Sequence, residues 1–110
     1  MKSYKEWLCF IPFILLASSA CKKNEPIPTA AFSYQANNNF KIPCNVIFTN
    51  LSTNAFSYEW DFGDNNSSTA KDPSHTYLKA GNFTVILKAY TESRYQWASK
   101  SQVISIKDTV

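Results

Sequence analysis

Residues 56–64 read Phe56-Ser57-Tyr58-Glu59-Trp60-Asp61-Phe62-Gly63-Asp64. Phe56, Tyr58, Trp60 and Phe62 alternate with Ser57, Glu59 and Asp61, and the run stops at a glycine and an aspartate. Strict period-two alternation marks a strand with one buried face, and Gly-Asp marks the turn that ends it. The aromatic face is expected to enter a core, with Trp60 at its centre because an indole brings more apolar area than any other side chain. Gly63 can take the positive φ needed where the strand turns out, and Asp64 can accept backbone N–H groups in the turn.

The same period recurs on both sides. Cys44–Asn50 alternates through Val46 and Phe48, residues 83–89 put Phe83, Val85, Leu87 and Ala89 on one side, and residues 97–106 end in Val103-Ile104-Ser105-Ile106. A short strand is expected at Ala30–Tyr34. Turn clusters fall at Asn37–Asn39, Asn50–Asn54, Gly63–Ser68 and Ala80–Asn82. No stretch keeps a helical period. Short strands separated by turn signals every ~8–12 residues predict an all-β, antiparallel sandwich.

Three motifs stand in order: Trp60-Asp61-Phe62-Gly63-Asp64, then Asp72-Pro73-Ser74-His75-Thr76-Tyr77, then Gly81-Asn82-Phe83-Thr84-Val85. Together they closely resemble a PKD domain, and Phe48-Thr49-Asn50-Leu51-Ser52 resembles that family's F-x-N-x-S segment. The resemblance covers about residues 30–107. It implies an immunoglobulin-like sandwich of about seven strands in two sheets, and a non-catalytic module used in adhesion, spacing and carbohydrate or protein binding. It also implies structural roles for Trp60, Asp61, Phe62, Gly63, Asp64, Pro73, His75, Tyr77 and Gly81. The sequence departs from the pattern twice: Asn65-Asn66 follows Asp64 where a glycine is usual, and Phe83 stands where tyrosine is frequent.

The N-terminus differs from the rest. Residues 1–7 carry Lys2, Lys5 and Glu6; residues 8–17 are uncharged and apolar apart from Pro12; Ser18-Ser19-Ala20 then lead to Cys21. A basic start, a short apolar run and a small-residue exit describe a secretory signal peptide. The apolar run is half the ~20 residues that a membrane-spanning helix needs. Ser18-Ser19-Ala20-Cys21 resembles the lipobox of bacterial lipoproteins, with Ser18 where leucine is more common. That resemblance implies diacylation of Cys21 and a lipid-anchored protein of the cell envelope, at the outer membrane or cell surface. The layout expected is a leader over 1–20, Cys21 with a Pro-containing tether over 21–29 that holds the domain off the membrane, the sandwich over 30–107, and a tail over 108–110. Of the three cysteines, Cys9 leaves with the leader and an acylated Cys21 leaves Cys44 unpaired, a small hydrophobe at a strand start; the alternative is ordinary signal-peptidase cleavage with a Cys21–Cys44 bridge.

Composition narrows the function classes. A net charge of +3 with Lys+Arg 11 and Asp+Glu 8 is far from the basic balance of a nucleic-acid binder, and no nucleic-acid motif is present. Two glycines and one histidine leave little material for a phosphate loop, a set of zinc ligands or a catalytic triad. Calcium would need six or more converging oxygens. Glu59 and Asp61 share an outer strand face while Asp64 lies in a turn, so these acids read as turn chemistry and a solvated surface. No enzyme activity, metal or cofactor is expected. A ligand is expected to touch the connection before the last strand, where Tyr90, Arg94, Tyr95 and Trp97 fall within eight residues and Arg94, Tyr95 and Trp97 are the candidate contacts, because Arg, Tyr and Trp dominate binding hot spots. The partner expected is an envelope protein or a glycan; the other reading is a spacer or accessory subunit with no ligand of its own.

Overall fold

The computed structural model of the protein describes residues 25–108; the expected leader and Cys21 lie outside them. Seven strands form two antiparallel sheets, as the resemblance implies. They are β1 (Phe32–Ala36), β2 (Cys44–Asn50), β3 (Ser57–Asp61), β4 (Ser67–Ser68), β5 (Ser74–Tyr77), β6 (Gly81–Tyr90) and β7 (Trp97–Ile106). One sheet has the order β1-β2-β5 and the other β4-β3-β6-β7. The only helical segment among the described residues is a 3-10 turn at Asn38–Phe40.

The first strand begins at Phe32, two residues later than the sequence pattern suggested. Its register is set by pairing, Phe32 opposite Asn50 and Ala36 opposite Val46. β4 and β5 have no legible alternation, since two and four residues are too short to show a period. They become strands by bonding to longer neighbours, Asp61 opposite Ser67 and Val46 opposite His75.

The core lies between the sheets: Phe32, Cys44, Val46, Phe48, Trp60, Phe62, Tyr77, Val85, Leu87, Ile104 and Ile106. Phe48 is the hub, with ring centroids 5.2 Å from Trp60, 5.4 Å from Phe62 and 6.0 Å from Phe32. Each such pair contributes about 0.5–1.5 kcal/mol beyond its buried area. The Trp60 indole N–H donates to the Ala70 carbonyl at 2.9 Å, so the buried ring leaves no polar atom unmet. Gln102, on the inner side of β7, donates to the Phe32 carbonyl at 2.8 Å and ties the two sheets together.

One aromatic departs from the expected face. Phe56 precedes β3 and is 67% exposed. It sits at the end of the sandwich beside Asn54, Ala55 and Pro26, past the last β3–β6 pair. Perfect alternation continued one residue beyond the sheet that would have buried it.

The incoming segment also differs from a free tether. Thr29 and Thr53 exchange backbone hydrogen bonds of 3.0 and 3.1 Å, and Asn54 Nδ2 donates to the Ile27 carbonyl at 3.2 Å. Ser93 Oγ donates to Glu25 Oε1 at 3.1 Å. Residues 25–29 are thus bonded to the loops at one end of the sandwich.

Candidate functional site

Most motif residues lie toward the end of the sandwich opposite Glu25, while Trp60 sits in mid-core beside Phe32 and Pro73 beside Phe48. Trp60, Phe62 and Tyr77 are core residues, while Asp61 and Gly63 stay exposed. Asp61 Oδ1 accepts the Gly63 N–H at 2.9 Å, and Asp64 Oδ1 accepts the Asn66 N–H at 3.2 Å. These are successive Asx turns, the reason short carboxylates follow the strand. Gly63 has φ +84° and Asn65 φ +72°. Asparagine tolerates that region better than most residues, which lets Asn65 stand where a glycine is usual.

His75 Nε2 lies 2.7 Å from Asp64 Oδ2, and its ring stacks on Phe62 at 4.4 Å with 4° between planes. Tyr77 donates its hydroxyl to the Phe62 carbonyl at 2.8 Å. Burial pushes the Tyr77 phenol up, with Asp64 and Asp61 adding to it. Burial alone would raise Asp64, but the His75 hydrogen bond and charge, with the Asn66 contacts, leave its carboxyl below the ordinary value. Pro73 is buried, and its carbonyl accepts the Phe48 N–H at 2.9 Å. Gly81 opens β6 at φ +151°. Every polar motif group has a protein partner, so this cluster is a lock between the turn after β3 and strand β5.

The F-x-N-x-S segment is a second lock that sequence spacing did not reveal. Asp72 Oδ1 accepts the Asn50 N–H at 2.8 Å, Asn50 Oδ1 accepts the Ser52 N–H at 3.0 Å, and Ser52 Oγ accepts the Ala31 N–H at 3.3 Å. Asp72 closes a loop across more than twenty residues, a contact invisible to local pattern.

The expected binding trio is divided. Thr91 is buried and bonds Gln96 through backbone and hydroxyl, closing a tight hairpin. Arg94 takes φ +65° in that turn and folds back over the sheet. Tyr95, 71% exposed, stays at the tip. Trp97 is the first residue of β7 and lies on the outer face of the four-stranded sheet, 55% exposed.

On that face the register places Tyr90 opposite Trp97, and Lys88 between Glu59 and Ser99. The Arg94 guanidinium lies 3.9 Å from the Tyr90 ring centroid, and its Nη2 is 3.1 Å from Glu59 Oε2. Tyr90 donates its hydroxyl to the other Glu59 oxygen at 3.0 Å. Lys88 Nζ stands 5.4 Å from the Trp97 ring, and the Tyr90 and Trp97 rings are 6.3 Å apart. The Tyr90 hydrogen bond, followed by that from Arg94, holds the Glu59 carboxyl below its ordinary range. An anionic acceptor is thereby fixed beside two aromatic faces. A cavity of about 460 Å³ continues the strip, lined by Glu59, Asp61, Ser67, Thr69, Ile86 and Lys88. The sequence had grouped Tyr90 with Arg94 and Trp97; Glu59 and Lys88 join them only through the β3–β6–β7 register.

Residues 23–106 match the family model of the PKD domain. The first PKD domain of the Vibrio cholerae metalloprotease PrtV is similar at 27% identity and a TM-score of 0.64, over 74% of this chain and 99% of that one. The first PKD domain of Vibrio anguillarum Epp is similar at 24% identity and a TM-score of 0.65, over 77% and 99%. A chain from the carbohydrate-binding modules of the β-sandwich superfamily shares the fold at 21% identity and a TM-score of 0.69, over 80% of this chain and 37% of that one. PKD domains are generally non-catalytic and occur mostly in extracellular or secreted proteins, and this chain belongs to the PKD domain family.

Proposed function

We propose that the protein is a lipoprotein of the bacterial cell envelope, anchored through acylated Cys21, whose PKD domain is a non-catalytic module that binds a glycan or protein. The observation that carries the reading is the outer face of the four-stranded sheet. Trp97 offers a half-exposed aromatic ring, Tyr90 beside it carries the Arg94 guanidinium on one face, and Glu59 and Lys88 add charge around them. Sugar C–H faces and peptide side chains stack on such rings while hydroxyl or amide donors reach the carboxylate. The hydrogen bonds already made within the strip lower the ordering cost of binding.

The test is Tyr90→Ala with Trp97→Ala, assayed on a glycan array and by capture from envelope extract. Loss of a partner that wild type retains supports the reading. A folded double variant that keeps every wild-type partner refutes it.

A second reading has its own observation. Glu25 lies at one end of the sandwich, beside Ser93, and Ile106 and Lys107 lie at the other, where Lys107 bridges Lys41. A domain whose chain enters and leaves at opposite ends suits a spacer, and retention of all partners by the double variant favours it.

A further inference from the structure

The end of the sandwich that receives Glu25 is unlike the other end. Glu25 is held by Ser93 of the β6–β7 hairpin, Ile27 by Asn54, and Thr29 by Thr53 of the β2–β3 loop. Beside them stand Ile27, 74% exposed, Phe56 and Tyr95. Single exposed apolar side chains need no explanation, but these three lie around the point where the chain comes in, and Leu51, 54% exposed in the β2–β3 loop, joins them at the same end. The opposite end exposes one comparable side chain, Leu78 at 71%.

Chain length says what covers these side chains. Only Lys22, Lys23 and Asn24 separate Cys21 from Glu25. Fully extended, four residue steps span about 14 Å. Because residues 25–29 are bonded to the domain, no longer tether is available, and an acylated Cys21 brings this end to the membrane surface. Tyrosine and other aromatics favour the headgroup region, and Lys22 and Lys23 favour anionic headgroups by about 1 kcal/mol each. The acids at this end include Glu25, Glu92 and Asp72; Glu25 is engaged by Ser93 and Asp72 by the Asn50 N–H.

We infer that this end is a lipid-docking surface: Phe56, Tyr95 and Ile27 seat in the headgroup region, and the sandwich stands on the membrane rather than swinging on a tether. The inference rests on the reading of Cys21 as the anchor. Its consequence is orientation. The Tyr90–Trp97 strip runs up one side from the membrane, the turn at Gly63–Asn66 points away from it, and Tyr95 contacts lipid rather than the partner.

The experiment places a photoreactive benzophenone side chain at Phe56, Tyr95 or Leu78 of the full chain. The chain is expressed in a bacterium whose phospholipids carry radiolabelled phosphate. The mass of the N-terminal peptide reports acylation of Cys21 separately. Label captured on irradiation at positions 56 and 95, several-fold above position 78, is the result expected. Acylated protein with equal label at all three positions, or none, overturns the docking and leaves the anchor standing. Cross-linking at 56 and 95 into a protein instead of lipid also overturns it and assigns this end to a partner. An unmodified Cys21 overturns the anchor and the docking together.

Discussion

Gly63 has φ +84°, and a Cβ built on it would stand 2.7 Å from the Thr84 carbonyl oxygen, 2.9 Å from its nitrogen and 3.2 Å from its carbonyl carbon. All three atoms are backbone. Thr84 is paired with Val103 in the middle of the sheet, so it cannot retreat without bending β6 against β7. For Gly63→Ala the left-handed conformation costs roughly 1–2 kcal/mol. Relief of the overlap adds about 1–3 kcal/mol, and the stiffer unfolded chain returns about 0.4–1 kcal/mol. The net loss is about 1–5 kcal/mol, to be set against the roughly 5–15 kcal/mol by which folded domains exceed their unfolded chains. Urea unfolding of the chain from Lys22, followed by tryptophan fluorescence, measures it, with an unchanged slope confirming that only stability moved. Gly81→Ala is the control. Its φ of +151° also strains alanine, but its nearest neighbours are Phe83 ring atoms at 3.7 and 3.8 Å, so no overlap adds to the cost. A loss below about 1 kcal/mol for Gly63→Ala, or a larger loss for Gly81→Ala, refutes the close approach of the turn to β6.

Tyr77→Phe removes a buried donor and strands the Phe62 carbonyl, and a loss of about 1–3 kcal/mol is expected in the same urea assay. Asp64→Asn tests the His75 pair by pH. The folded carboxyl is more acidic than the unfolded one, so its contribution is complete above the unfolded value near 4 and fades as pH falls through the folded value. Wild type should exceed the variant in stability at neutral pH, and the difference should close below about pH 4 in acid titrations followed by circular dichroism. Cys44 is fully buried, and burial raises its thiol above the ordinary value. In the chain from Lys22 it should resist a thiol-reactive dye when folded and react completely in urea; rapid labelling of the folded protein contradicts its place in the core. Trp97→Ala, by contrast, should change stability by no more than about 0.5 kcal/mol, since the ring lies on the solvent side of β7.

Much of the sandwich is legible because its long strands each bury one face. Val46 and Phe48, Trp60 and Phe62, Val85, Leu87 and Ala89, and Ile104 and Ile106 all follow from period two, and each is buried. The pattern misleads at Phe56, where alternation outlasts the sheet, and says nothing of β4 and β5. The binding surface is less legible. Arg94 and Trp97 could be marked by residue type. Glu59 could not be joined to them, because a cross-strand neighbour 31 residues from Tyr90 carries no local signal, and which face Tyr90 and Lys88 share with Trp97 follows from the strand register.

Local physics by itself determined the alternation, the glycine and asparagine turns and the aromatic stock of the core, because each depends on backbone conformation and residue type over a few neighbours. The family follows from those same motifs in order. Tertiary structure alone decided which polar groups meet: Asp64 with His75, Asp72 with Asn50, Glu59 with Tyr90 and Arg94. It also decided that the tether is bonded to the domain from Glu25 onward. These contacts are made when two sheets close and their register is chosen, and register is a property of the whole sandwich rather than of any one segment.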